Sequence, residues 1–283
     1  MDRLKPLNDF IFKKLFGENE AKHNLIAFLN AVLDRKDKDR LVSLEIIENK
    51  ELTKEMMEDK TGILDVRART EDGTQINIEV QLTDQRNMDK RTLFYWGRLF
   101  NEGIRKGEDY RKLCKVITIN ILDFEYLSLN KFHSKFHLWE DEEKDYMLTD
   151  LVEIHFIEVP KFNELDEKNL KEDKLQRWLT FFNKDISEET LKELMDMDED
   201  IKRAEERLEY LSSDKKTIEL YKAREKSLHE RENMINSAKE EGREEGREQE
   251  KIKIAKSLLD ILDVETIALK TGLSIQKVKS LKN

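Results

Sequence analysis

Leu7, Phe10, Ile11 and Leu15 recur near helical spacing and run into Gly17, and Leu25, Phe28, Leu29 and Val32 repeat the pattern. The chain therefore opens with two short helices. "LVSLEIIE" then reads as a strand. Between Ile63 and Leu82 the period changes to two: Leu64, Val66 and Ala68 alternate with Asp65, Arg67 and Arg69, and Ile76, Ile78 and Val80 alternate with Asn77, Glu79 and Gln81. Two half-buried strand arms follow. A helical period returns in "NMDKRTLFYWGRLFNEGIRKG", carried by Leu93, Trp96, Leu99, Phe100 and Ile104. "KVITINIL" is nearly all apolar and rich in β-branched residues, as a buried central strand would be. "KFHSKFHLWE" and "LVEIHFIEV" add further strands, the second stopped by Pro160. This order predicts an α/β fold, a mixed sheet flanked by helices.

From about Asn169 the chain reads helical, and from Ser187 to Gln249 helix formers dominate without proline or a turn cluster. Three regions are expected: a compact domain over 1–186, a charged helical extension over 187–250 and a small helical tail over 251–283. The extension contains "EEGREEGRE", whose Gly242 and Gly246 each cost up to about 1 kcal/mol of helix propensity. It reads most simply as a solvated helix or linker.

The two strand arms set their own register, because a slip of one residue would place an apolar face against a polar one. Matching apolar faces pairs Ala68 with Ile76, Val66 with Ile78 and Leu64 with Val80. Thr70 then meets Thr74 across Glu71-Asp72-Gly73, a three-residue loop that wants a left-handed glycine at its third position. The same register sets Asp65 opposite Glu79 with Cβ atoms roughly 5 Å apart, where like charges destabilise the pair. Two compensations are open. Arg67, two residues along on the same face, would make an ordinary charged surface, whereas a hard divalent cation would turn the pair into a metal site.

Composition narrows the partners. The chain of 283 residues has a net charge of −10 with 40% charged residues, which argues against nucleic acid as a partner, since phosphate binding rests on Lys and Arg. Between Asp84 and Lys115, however, nine basic residues face five acidic ones. The single Cys114 excludes an intramolecular disulfide and a cysteine-based zinc cluster, and reads as a small buried hydrophobe in a reducing compartment. No apolar run approaches the roughly 20 residues needed to span a bilayer, and the N-terminus lacks the pattern of a signal peptide. A cytoplasmic protein without a membrane partner is expected. His133 and His137 point the same way on a strand and have no zinc-ligand spacing with Cys or Glu, and neither a phosphate loop nor a nucleophile elbow is present.

"LDVRARTEDGTQINIEVQL", preceded by "NDFIFKKLFG" and followed by "DKRTLFYWGRLF", resembles the PD-(D/E)XK nuclease superfamily, in the branch of recombination-promoting nucleases (Rpn) and transposase-like proteins. The resemblance covers most of Met1 to Val159 and implies a restriction-endonuclease-like mixed sheet. It also implies a Mg²⁺-dependent (or Mn²⁺-dependent) endodeoxyribonuclease that hydrolyses DNA phosphodiesters in recombination or mobile DNA. Asp65 matches the first motif acid and Glu79 the second, and the two would hold the metal. Gln81 stands where the superfamily carries lysine: its amide can orient a water but supplies no charge. Lys90 or Arg91 would restore that charge near DNA, with Tyr95 one turn beyond. Asp9 matches the acid of the first helix, or is simply a helix N-terminal carboxylate favoured by the dipole; Glu18 and Glu20 are weaker matches. The alternative reading is a fold-retaining, inactive nucleic-acid-binding or assembly scaffold.

In the tail, "ETIALKTGLSIQKVKSL" places Ala268, Gly272 and Val278 in the A-x3-G-x5-V pattern of a helix-turn-helix. From Lys251 onward seven lysines face three acids. Two uses are open, DNA binding or self-association of chains through the helical C-terminal region.

Overall fold

The computed structural model describes residues 3–47 and 65–281. Asn8 opens the first helix, α1 (Asp9–Phe16), by accepting from the backbone N–H groups of Phe10 and Ile11 at 3.1 and 3.3 Å. α2 (Lys22–Val32) follows, and both helices bury the apolar faces read from their spacing. The expected first strand contracts to β1 (Glu45–Ile46) among the described residues.

Next come β2 (Val66–Arg69) and β3 (Gln75–Gln81), paired antiparallel with Val66 against Ile78 and Ala68 against Ile76, as the alternation requires. The expected Leu64–Val80 pair lies outside the described residues. Thr70 N–H reaches Thr74 O at 3.0 Å, closing the loop, and Gly73 has φ +86°. A Cβ there would also sit 2.7 Å from Cys114 Sγ, so both conformation and space demand glycine. Cys114 itself is partly exposed rather than the buried hydrophobe its apolar neighbours suggest.

α3 (Met88–Glu102), β4 (Val116–Leu122), β5 (His133–Trp139) and β6 (Met147–Glu158) complete the sheet, whose order is β1-β2-β3-β4-β6-β5. β3, β4 and β6 run parallel, and the outer pairs are antiparallel. One face carries Ile76, Ile78, Ile117, Ile119, Ile121 and Ile157 into the main core. The other face is mixed. Leu122, Ile154 and Phe156 pack with Met88 and Trp96 of α3, but Asn77, Glu79, Thr118 and Asn120 also lie buried there. β3 is thus buried on both faces, not half-buried, because α3 covers its polar side.

That polar floor also rotates α3 away from its expected orientation. Leu93 of the apolar stripe is 55% exposed, while Thr92 is buried, bonded to Thr118 at 3.1 Å and accepting from Asn120 Nδ2 at 3.0 Å. A floor of buried amides and hydroxyls needs hydrogen-bonding partners more than it needs leucine.

Pro160 sits in the first turn of α4 (Val159–Asn163), and α5 (Lys174–Phe181), α6 (Glu188–Met197) and α7 (Glu199–Ser213) follow. The segment after Ile186 is not all solvated: Leu194, Ile201, Ala204, Leu208, Leu211 and Leu220 belong to the main core. α8 (Lys215–Leu258) is 44 residues long, and its Glu/Gly/Arg repeat is exposed. The chain divides into two compact units, Met1–Ser227 and Leu228–Asn283. The second holds the end of α8 with α9 (Val264–Thr271) and α10 (Ile275–Ser280) around its own small core. No helix among the described residues is long and apolar enough to cross a membrane.

Candidate active site

Glu79 projects from β3 toward α3 and is 2% exposed. Arg91, on the first turns of α3, donates Nε and Nη2 to Glu79 Oε1 at 2.8 and 2.5 Å. Gln81 Nε2 donates to the same oxygen at 2.8 Å. Three donors therefore converge on Oε1. Among the described residues no donor reaches the second oxygen, Oε2.

Burial raises the Glu79 carboxyl above its ordinary range, more than the Arg91 charge and the two hydrogen bonds lower it, and the Asp65 charge adds to the rise. Asp65 immediately precedes β2, so the ladder stops one residue short of it, yet its field reaches both Glu79 and Tyr95. The Tyr95 hydroxyl is pushed up by burial, opposed by Arg91 and reinforced by Glu79 and Asp65. The Arg91 guanidinium lies 5.6 Å from the Tyr95 ring centroid, a cation–π contact that steadies it.

Asp65, Glu79, Gln81, Arg91 and Tyr95 thus form one cluster. Lys90, their neighbour on α3, is exposed. Arg67, the candidate for balancing the acid pair, donates to Glu102 at 2.6 Å, and Arg91 is paired with Glu79. Asp9 is engaged elsewhere: Arg224 of α8 donates Nε and Nη2 to its carboxylate at 3.0 and 2.5 Å in a buried pair. Glu18 pairs with Lys14 and Arg207, and Glu20 is exposed. Among the described residues no group of three or more His, Cys, Asp or Glu side chains has the geometry to hold a metal ion. The donor set is two carboxylates, one with an oxygen that no described donor engages, beside a glutamine amide. That set fits an oxygen-seeking cation of the Mg²⁺ kind, which usually keeps waters and substrate phosphates as its remaining ligands.

A second ionisable cluster went unread in the sequence. Glu153 of β6 accepts from His155 Nε2 at 2.8 Å and from Lys115 at 2.5 Å, with His137 Nε2 at 3.6 Å. His155 Nδ1 in turn meets His133 Nε2 at 2.8 Å. The available signal was the period-two pair Glu153 and His155, set beside His133 and His137 on the neighbouring strand.

The chain is thus an α/β fold with a mixed sheet, Glu79 on β3 lying beneath α3 and Asp65 just before the neighbouring strand. The chain belongs to the PD-(D/E)XK nuclease family transposases, whose family model matches residues 6–238. Neither a curated protein nor a solved structure matches it. Nucleases of this superfamily usually use divalent metals, and membership points to a nuclease or transposase-related activity on DNA.

Proposed function

We propose that the chain is a metal-dependent DNA endonuclease that hydrolyses phosphodiester bonds in recombination or in mobile DNA. The observation that carries this reading is Glu79 Oε2, a carboxylate oxygen beside Asp65 that no described donor engages, while Arg91 and Gln81 are both directed to Oε1. Asp65 and Glu79 would hold Mg²⁺ or Mn²⁺, which supplies Lewis-acid polarisation of the phosphate and a nucleophilic water near neutral pH when bound.

The chain's own side chains do the rest. Gln81 spends its amide N–H on Glu79, which leaves its carbonyl oxygen to orient a water. Arg91 uses Nε and Nη2 on Glu79 and retains Nη1 for a phosphate oxygen, so it supplies the positive charge that Gln81 lacks. Lys90 would add a contact to the DNA backbone.

The test is incubation of supercoiled plasmid with purified protein in Mg²⁺, Mn²⁺ or EDTA. Relaxed or linear product in metal, none in EDTA and none from Glu79→Ala is the expected result. A wild type inert in both metals would end this reading. The second reading, an inactive nucleic-acid-binding or assembly scaffold, is favoured by Gln81 in place of lysine and by Arg91 already being paired with Glu79.

A further inference from the structure

We propose that the C-terminal unit is a second DNA-binding site, and that it contacts duplex DNA through the exposed face of α10. Its helices α9 and α10 lie beyond the residues matched by the family model, and the argument is independent of the nuclease reading.

The unit is built as a helix-turn-helix. Ala255 from the end of α8, Ile267 and Ala268 from α9, Leu273 from the turn and Val278 from α10 form one buried core. Gly272 closes α9 with φ +70°, its N–H reaching Ala268 O at 2.9 Å. Nothing lies within 4 Å of a Cβ built there, so the left-handed conformation, not crowding, requires glycine. Leu273 plugs the turn and Ser274 caps α10, accepting from Lys277 N–H at 3.2 Å. Thus Ala268, Gly272 and Val278 occupy the crossing, the turn and the anchor, the three places their spacing demands.

This packing decides what α10 shows to solvent. Val278 is buried, whereas Ile275, Gln276, Lys277, Lys279 and Ser280 are exposed. The helix carries two lysines and no acid. Gln and Lys are side chains that hydrogen-bond adenine and guanine edges in the major groove, and each lysine can neutralise a phosphate. The acids of this region, Asp260, Asp263 and Glu265, precede or open α9, and Asp263 is spent capping it through Thr266 N–H at 2.9 Å. The most exposed apolar side chains of the unit, Leu269 at 82% and Ile261 at 71%, lie on α9 and the turn before it, and Ile275 at the start of α10 is 45% exposed. The second helix of the motif, the one that enters the groove in proteins of this architecture, is the basic and polar one.

The experiment is fluorescence anisotropy of the full chain on a 30-base-pair duplex in EDTA, where no metal-dependent hydrolysis occurs, over a salt series. Lys277→Glu with Lys279→Glu should weaken binding roughly tenfold and lower the log–log salt slope by about 1.8, two phosphate contacts at 0.9 each. The neutral pair Lys277→Gln with Lys279→Gln should give the same direction, with an unchanged melting curve excluding misfolding. Plasmid cleavage at saturating protein should survive both variants if the nuclease reading holds, and its absence in wild type would sink that reading alone. Unchanged affinity and slope in both variants overturn the DNA-binding proposal. It is equally overturned if sedimentation shows that the lysine changes shift only the oligomeric state, which would make a second copy of the chain the partner.

Discussion

Glu79 and Glu153 are both buried carboxylates of one sheet, yet their surroundings treat them in opposite ways. The register places them on opposite faces: Glu79 lies in a row with Asn120 and Phe156, and Glu153 in a row with Ile117. Burial pushes both carboxyls up. At Glu153, bonds from His155 and Lys115 then pull it well below the ordinary range, whereas at Glu79 the pull of Arg91 is too small to offset burial. The distribution of donors explains the difference. Glu153 has partners on both oxygens, and Glu79 has three donors on one and, among the described residues, none on the other. A carboxylate satisfied on both sides is a structural joint, and one held half-satisfied in a buried place is poised for a further ligand.

The strongest way to break this contrast is to neutralise each acid without changing its shape. Glu79→Gln should reduce plasmid cleavage about a thousandfold, while Glu153→Gln should leave it within a few-fold. Equal losses would erase the distinction. Stability should answer in reverse. Glu153→Gln leaves Lys115 without its carboxylate and should cost about 3 kcal/mol in urea unfolding. Glu79→Gln should cost less, since burial raises the Glu79 carboxyl and makes its charged form less favourable in the fold than that of Glu153.

How these sites were legible follows from the same contrast. The β2–β3 register could be read because alternation and Gly73 fix it locally, and Ala68 and Val66 meet Ile76 and Ile78 as expected. The near-total burial of Glu79 could not be read, because it depends on α3 lying over a polar floor, and a helix read by its apolar stripe points Leu93 inward instead of Thr92. Arg91 and Tyr95 do lie side by side, since one turn of helix fixes their spacing. Asp9 shows the limit: its partner Arg224 is 215 residues away, on a helix whose composition reads as solvated. Composition also hid the burial of α6 and α7, which need only one apolar residue per turn to join a core made by other elements. The Glu153 cluster requires the pairing of β5 with β6, including its bulge after Phe136, which no local pattern specifies.

Acid should reach the Glu153 face first. Burial lowers His133 to about 4 and also lowers His155, so both rings are neutral in the fold at pH 7. A group depressed on folding contributes stability that is present above its unfolded value and is lost as pH falls through its folded value. Wild-type stability should therefore decline from about pH 6.5 toward 4, by roughly 3 kcal/mol for His133. His133→Gln should flatten that decline in urea titrations, and an unchanged slope would show that the cluster is not its source. Cations should act on the other face. Mg²⁺ at ten times its dissociation constant should stabilise wild type by about 1.4 kcal/mol and Asp65→Asn far less, read as a melting shift. An equal shift in both would leave the acid pair as ordinary polar surface.

The smallest effect, and the one that sharpens the contrast most, belongs to Gln81. Its Nε2 is one of three donors on Glu79 Oε1, so Gln81→Ala should cost about 1 kcal/mol and slow cleavage only several-fold, by loosening the water it orients. Gln81→Lys adds charge at the position where the superfamily carries it. If Glu79 is held for a ligand, that charge lies beside the phosphate and cleavage should be kept or raised. If Glu79 is instead a joint like Glu153, a lysine would complete its second oxygen, raise the melting temperature and add nothing to hydrolysis in any metal. Measuring melting and cleavage on this one variant assigns Glu79 to one kind of carboxylate or the other, because a lysine cannot satisfy Oε2 and leave it open to a cation.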